Sequence, residues 1–206
     1  MSSLVAGRRA RALSALALVA LATAGCAPEP GEGPTPSTGA PGPTLTASTV
    51  PAPAATPFAL PTDCRQLYSA GMFANLERAL PPLNDPAVTL YATQVPEALD
   101  VLQSGIPTVR CTWGSAGEEG LATAVSVVDG EQSSRVQDAL AAAGFECGDA
   151  LGGVVCRTQT ETVTMDDEVV SLGESHLLRD DAWVATSWVG ALPEGYTEDI
   201  AGTLWG

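Results

Sequence analysis

EVVSLGESHLLRDDAWVATSWVG, residues 168–190, is the segment that decides the fold predicted for this chain. It contains two runs rich in β-branched, aliphatic and aromatic residues, separated by the polar residues 179–181. Two such runs joined by a short polar break are typical of a β-hairpin. The segment therefore predicts two antiparallel strands that turn near residues 179–181.

The residues before this hairpin predict further strands. Residues 108–115 (TVRCTWGS) and 121–130 (LATAVSVVDG) alternate in polarity and are rich in β-branched side chains. Residues 145–159 (FECGDALGGVVCRTQ) read as a second hairpin with a glycine-rich turn. This pattern predicts an antiparallel sheet assembled from several short strands.

Helical patterns precede, interrupt and follow the predicted strands. Residues 61–80 predict a helix capped by Thr62 or Asp63, with a break near Gly71, and residues 96–105 predict a second helix that starts at Pro96. Residues 129–144 predict a helix between strands, and residues 194–206 a short terminal one. We therefore expect an α+β fold, with N-terminal helices packed on an antiparallel sheet, one inserted helix and two disulfides.

The N-terminal part of the chain has a different composition. Residues 1–25 have three arginines followed by the apolar run 12–24 and small residues, the order of a secretory signal peptide. The run is shorter than the roughly 20 residues of a membrane span, although a retained signal-anchor helix is the alternative. Residues 26–60 are rich in Pro, Thr, Ser and Gly and predict a disordered linker. The predicted folded domain is then residues 61–206.

The charge of the chain excludes some partners. The 206-residue chain has nine arginines, no lysine and 24 acidic residues, so its formal charge is −15. Loss of the three arginines of the signal would make the charge −18. So acidic a protein is repelled by nucleic-acid phosphates and by anionic headgroups. We expect no nucleic-acid partner.

The cysteine count is odd, which is informative in an exported protein. Of the five cysteines, Cys26 lies outside the predicted domain, and the other four allow three pairings. Cys147 and Cys156 flank the predicted hairpin, so the pairs Cys147–Cys156 and Cys64–Cys111 are favoured. A zinc site is the alternative, but the sequence has no Cys-x-x-Cys pair and a single histidine. We expect no metal and no cofactor.

Catalytic signatures are weak in this sequence. There is no Gly-x-Ser-x-Gly elbow, no Ser-x-x-Lys, no phosphate loop and no dinucleotide fingerprint. His176 is a candidate general base but, as a lone histidine on a predicted strand, it is favoured as a surface or packing residue. The acidic residues 166–168 lack the spacing of a calcium loop and favour a solvated turn.

Tryptophans supply most of the large aromatic area. Trp113, Trp183 and Trp188 are candidates for contact with a ligand or partner, with core packing as the alternative. Trp183 and Trp188 are five residues apart, so they point to opposite faces of a regular strand. We expect one in the core and the other closer to the surface.

Two resemblances support an exported, anchored protein. Residues 24–26 (AGC) resemble the lipobox of bacterial lipoproteins, in which the cysteine is acylated and becomes the first residue of the mature chain; Thr23 departs from the usual Leu. With the Thr/Pro linker, DCRQL (residues 63–67) and RCTWGS (residues 110–115), the chain resembles small actinobacterial lipoproteins with a secreted domain of unknown function. The resemblance implies a location and a disulfide framework, and no catalytic residues.

Together these features predict a non-catalytic lipoprotein, held by lipid on Cys26 at the extracytoplasmic face of the cell membrane. Its domain would bind a small ligand or an envelope protein. One alternative is an envelope hydrolase that uses Asp or Glu carboxylates or His176. Another is a sensor or accessory domain of an envelope complex.

Overall fold

The computed structural model describes residues 57–117, 119–164 and 167–206. A short 3-10 helix spans Cys64–Leu67, and the α-helices are α1 (Ala70–Ala79), α2 (Pro96–Gln103), α3 (Gly130–Ala142) and α4 (Tyr196–Trp205). The strands are β1 (Thr108–Gly114), β2 (Gly120–Val127), β3 (Glu146–Ala150), β4 (Gly153–Val163), β5 (Val169–Arg179) and β6 (Ala182–Val189). The signal segment and Cys26 lie outside the described residues.

The six strands form one antiparallel sheet in the order β1-β2-β6-β5-β4-β3. The hairpin of residues 168–190 supplies β5 and β6, the two central strands of the sheet, with two further strands on each side. Arg179 pairs with Ala182, so the hairpin turns at Asp180 and Asp181, within the predicted break. An α+β fold with an antiparallel sheet and two disulfides is confirmed.

The first predicted helix is two helices. Asp63 caps the 3-10 helix by accepting the N–H of Arg65, and the chain becomes extended at Tyr68. Ser69 then caps α1 by accepting the N–H of Met72. The break therefore comes before Gly71, because a serine hydroxyl at this position favours a new helix start.

Helices cover both faces of the sheet, and each face has its own core. On the first face, side chains such as Trp113, Val184 and Trp188 pack with residues of the 3-10 helix, α1 and α4. On the second face, side chains such as Cys156 and Trp183 pack with α2 and α3.

This arrangement corrects the expectation for the two tryptophans of β6. Trp183 and Trp188 do point to opposite faces, but they are 0% and 5% exposed. Both are core residues because each face is covered. The expectation that one of them lies nearer the surface is wrong.

One disulfide joins the 3-10 helix to the sheet, and a second joins two neighbouring strands. Cys64 of the 3-10 helix is bonded to Cys111 of β1, and Cys147 of β3 to its register partner Cys156 of β4. These are the two pairs that the sequence favoured. The first closes a loop of 47 residues and the second a loop of 9.

The folded region begins before residue 61. Phe58 and Leu60, placed in the linker by the sequence, pack against the core of the first face. The Phe58 ring lies 5.2 Å from that of Trp205, and its N–H donates to the carboxylate of Asp181. Within the described ranges, no helix has the length and apolar character needed to cross a membrane.

Candidate functional site

The second face of the sheet carries a buried pair of polar side chains, Glu174 and His176. They are two residues apart on β5, so they project from the same face of the strand. His176 is 0% exposed and Glu174 is 7% exposed. A carboxylate and an imidazole this deep in a protein require partners, because an unpaired buried polar group is costly.

The partner of His176 on one side is Trp183. The indole Nε1–H of Trp183 donates to Nδ1 of His176 over 3.2 Å, and Nε2 of His176 lies 3.1 Å from Oε2 of Glu174. An indole nitrogen is only a donor, so Nδ1 must be the acceptor. The imidazole proton is therefore on Nε2, which donates to Glu174.

The segment that precedes α2 supplies the other partners of Glu174. The Thr93 hydroxyl donates to Oε2 and the Gln94 N–H donates to Oε1, each over 2.7 Å. The Thr93 oxygen in turn accepts the N–H of Val95 at the start of α2. The loop that leads into this helix is thus fastened to β5 through one carboxylate.

These contacts determine the charge of the cluster. Burial lowers the pKa of His176 below 6.5, and Glu174 opposes that effect only in part. Burial would raise the pKa of Glu174, but the hydrogen bonds from His176, Thr93 and Gln94 outweigh it and the pKa lies below 4.5. At neutral pH the imidazole is neutral and the carboxylate is ionised, so the cluster carries a net negative charge.

A cavity of about 300 Å³ adjoins Glu174 on this face. Its volume is at the lower end of the roughly 300–1,000 Å³ of small-molecule sites. The loop before α2, β5 and β6 supply its apolar residues, β4 supplies two threonines, and Glu174 is the one titratable side chain among the described lining residues. The lining residues are Leu90, Gln94, Thr158, Thr160, Leu172, Gly173, Glu174, Ser187, Trp188 and Val189.

No cation of the described residues neutralises Glu174. Four arginines pair with other acidic side chains, of Glu77, Asp100, Glu198 and Asp180 respectively. Arg110 donates to the carbonyl of Leu90 and Arg78 to the side chain of Asn75. The only ion-pair contact of Glu174 in the described ranges is with His176, which is neutral.

His176 is a packing residue, one of the two roles (surface or packing) that the sequence favoured. Both ring nitrogens are engaged inside the protein, and the ring of Phe145 packs edge-on at 5.3 Å. A general base must reach the proton that it abstracts. His176 has no free nitrogen for that purpose.

The three tryptophans differ in what they reach. Trp183 is buried between His176 and the helices and lines none of the described cavities, so its predicted contact with a ligand or partner is corrected to a core role. Trp188 is a lining residue of the 300 Å³ cavity although its indole packs in the core of the first face, where it also lines a cavity of about 800 Å³. Trp113 lines a separate cavity of about 510 Å³. Contact of these two with a ligand stays a prediction.

The remaining predicted sites lie elsewhere. Asp166 is outside the described residues, and its neighbours Asp167 and Glu168 are exposed. Over the described ranges, no group of three or more His, Cys, Asp or Glu side chains is arranged to hold a metal ion.

Glu174 was not among the site residues predicted from the sequence. One signal was present: Glu174 and His176 lie two apart in a strand that is otherwise apolar on that face. Thr93 carries no comparable signal, because the fold brings it to Glu174 from 81 residues away in the sequence. Ser187 is the register partner of Glu174 within the predicted hairpin. Comparisons with protein-family models, with curated proteins and with solved structures found no match to this chain.

Proposed function

We propose that the protein is a cell-surface lipoprotein whose α+β domain binds a ligand and does not catalyse a reaction. Lipid on Cys26 would hold it at the extracytoplasmic face of the membrane, and the Pro- and Thr-rich segment after Cys26 would be the tether. The two disulfides support an oxidising compartment outside the cytoplasm.

The observation that carries the binding proposal is the ionised carboxylate of Glu174 in the wall of an apolar cavity. Hydrogen bonds from His176, Thr93 and Gln94 keep this group ionised, and its charge in a poorly solvated wall would attract a complementary ligand. A cavity with apolar walls and few polar groups is the usual form of a small-molecule site.

The same cavity favours binding over hydrolysis. A glycosidase of the usual kind needs two carboxyl groups that flank the scissile bond. Glu174 has no second carboxylate beside it among the described lining residues, and the nitrogens of His176 face the interior. The envelope-hydrolase alternative therefore finds less support here than the binding module.

A fragment screen by NMR tests the proposal. We expect some fragments to shift the backbone amide signals of Leu172, Glu174 and Ser187 in the full-length protein. Thr160→Trp should abolish these shifts, because Thr160 is an exposed residue of the cavity wall and an indole there would obstruct the cavity. Thr162→Trp is the matched control, on the same strand face but outside the cavity. A library that leaves these signals unmoved would exclude the binding site.

A further inference from the structure

We infer that the cavity beside Glu174 takes an alkylammonium group on a compact apolar stem, with the ammonium donating to the Glu174 carboxylate. This inference rests on the proposed function, since it names the chemical class of ligand for the same site. Three independent properties of the cavity lead to it.

The first property is charge. Glu174 is buried and ionised, its histidine partner is neutral, and all six arginines of residues 57–206 are engaged elsewhere. The sequence contains no lysine. A buried carboxylate with no opposite charge beside it attracts one strongly because solvent screens it poorly, so the site favours a cation from outside the chain.

The second property is the direction of the hydrogen bonds. Each carboxylate oxygen has about two acceptor positions. Thr93 and His176 use those of Oε2, while the Gln94 N–H uses one on Oε1 and leaves one open.

Other polar groups of the wall also have acceptor positions left. The Ser187 hydroxyl donates its hydrogen to the carbonyl of Tyr91, and the Gln94 amide nitrogen donates to the same carbonyl. Their oxygen lone pairs remain. A set of acceptors selects a ligand with several N–H donors, and an ammonium group has three.

The third property is shape and polarity. The cavity has an apolar wall near the Glu174 carboxylate, formed by Leu90, Leu172 and Val189. A volume of about 300 Å³ suits a short aliphatic stem better than a large polar molecule. The domain also carries six arginines and 22 acidic residues over positions 57–206, a net charge of −16, which raises the local concentration of cations.

Titration with n-butylammonium and with 1-butanol, followed by NMR of the full-length protein in detergent, tests the inference. The two probes have similar stems and differ in charge. We expect n-butylammonium to shift the amides of Leu172, Glu174 and Ser187 at concentrations at least about tenfold lower than 1-butanol does. Glu174→Gln should remove that preference, because it removes the charge and keeps the size of the side chain.

Glu174→Gln also alters the hydrogen bonds of His176, so a second pair of variants guards against loss of the fold. Thr160→Trp should prevent the shifts by n-butylammonium, and Thr162→Trp should preserve them. Equal binding of the two probes, blocked by Thr160→Trp, would overturn the ammonium inference and leave the binding function standing. Shifts by n-butylammonium that survive Thr160→Trp would also overturn it.

The ammonium can belong to a free amine or to a lysine side chain of a partner. A capped tripeptide with a central lysine, compared with its norleucine analogue, separates the two sources. Binding of the lysine peptide that depends on Glu174 would support the inference and assign the group to a peptide. Binding of n-butylammonium alone would support it and assign the group to a small amine. Failure of both ammonium probes would overturn it.

Discussion

Gly173 of β5 lies beneath the indole ring of Trp188, its register partner on β6. A Cβ atom at position 173 would lie 2.6 Å from Cε2 of that ring, much closer than side-chain atoms can approach. The ring therefore covers the strand where a glycine leaves room for it. Trp188 is 5% exposed, so its position against Gly173 is part of the core of the first face.

Gly173→Ala should destabilise the protein because the added methyl group must displace Trp188. Overpacking of this kind costs about 1–3 kcal/mol of the free energy of unfolding. Urea unfolding followed by tryptophan fluorescence measures the loss. Gly148→Ala on β3 is the matched control, since a Cβ there meets nothing within 4 Å. Equal stability of Gly173→Ala and the natural protein would contradict the packing of Trp188 on Gly173.

Burial of His176 should make stability depend on pH. The pKa of His176 is lowered by burial in the folded protein, whereas the unfolded chain has the ordinary value of 6.5. Below about pH 6.5 the unfolded chain therefore binds a proton that the folded protein does not. Above that pH, His176 does not lower the free energy of unfolding. Below it, the free energy of unfolding falls as the pH drops, with a slope that approaches about 1.4 kcal/mol per pH unit.

Urea midpoints between pH 5 and pH 7.5 measure this slope. Glu174 is the titratable group in contact with His176 among the described residues, and its own loss of stability begins lower, as the unfolded carboxyl titrates near 4.5. His176→Gln is the control, because an amide can donate to Glu174 and does not titrate. A slope that persists unchanged in His176→Gln would show that other groups produce it.

Local patterns of the sequence predicted the secondary structure well, but they did not predict the environment of each side chain. The hairpin of residues 168–190 was predictable because its strands are rich in β-branched and aromatic residues and its turn is polar. The two-residue break at Tyr68 and Ser69 was less predictable, since a single hydroxyl cap decides it.

The burial of both tryptophans of β6 could not be predicted from alternation alone. Alternation gives opposite faces, but the coverage of each face depends on where distant helices pack. The Glu174 site is non-local for the same reason. Thr93 lies 81 residues from Glu174 in sequence and is its hydrogen-bond partner in the fold.

The two disulfides should stabilise the domain by different amounts. The chain-entropy model gives about 4 kcal/mol for the 47-residue loop closed by Cys64 and Cys111, and about 2.5 kcal/mol for the 9-residue loop closed by Cys147 and Cys156. Replacing both cysteines of one pair by alanine, followed by urea unfolding, gives each value. We expect the larger loss for the Cys64/Cys111 variant, because both of these cysteines belong to the core, whereas of the other pair only Cys156 does. The reverse order would contradict the entropic origin of the difference.

Cys26→Ala tests the proposed membrane anchor. Each buried methylene of an acyl chain contributes about 0.8 kcal/mol to membrane binding, and the alanine variant cannot be acylated at this position. The domain itself carries a net charge of −16 over residues 57–206, which anionic headgroups repel. We therefore expect the variant to leave the membrane fraction or to accumulate as the unprocessed precursor. Fractionation and intact-mass measurement distinguish these outcomes, and the Cys147→Ala/Cys156→Ala variant, which keeps Cys26, should remain in the membrane fraction. A Cys26→Ala protein that is processed and still membrane-bound would refute the anchor, because it would show that a segment other than the acylated cysteine holds the chain.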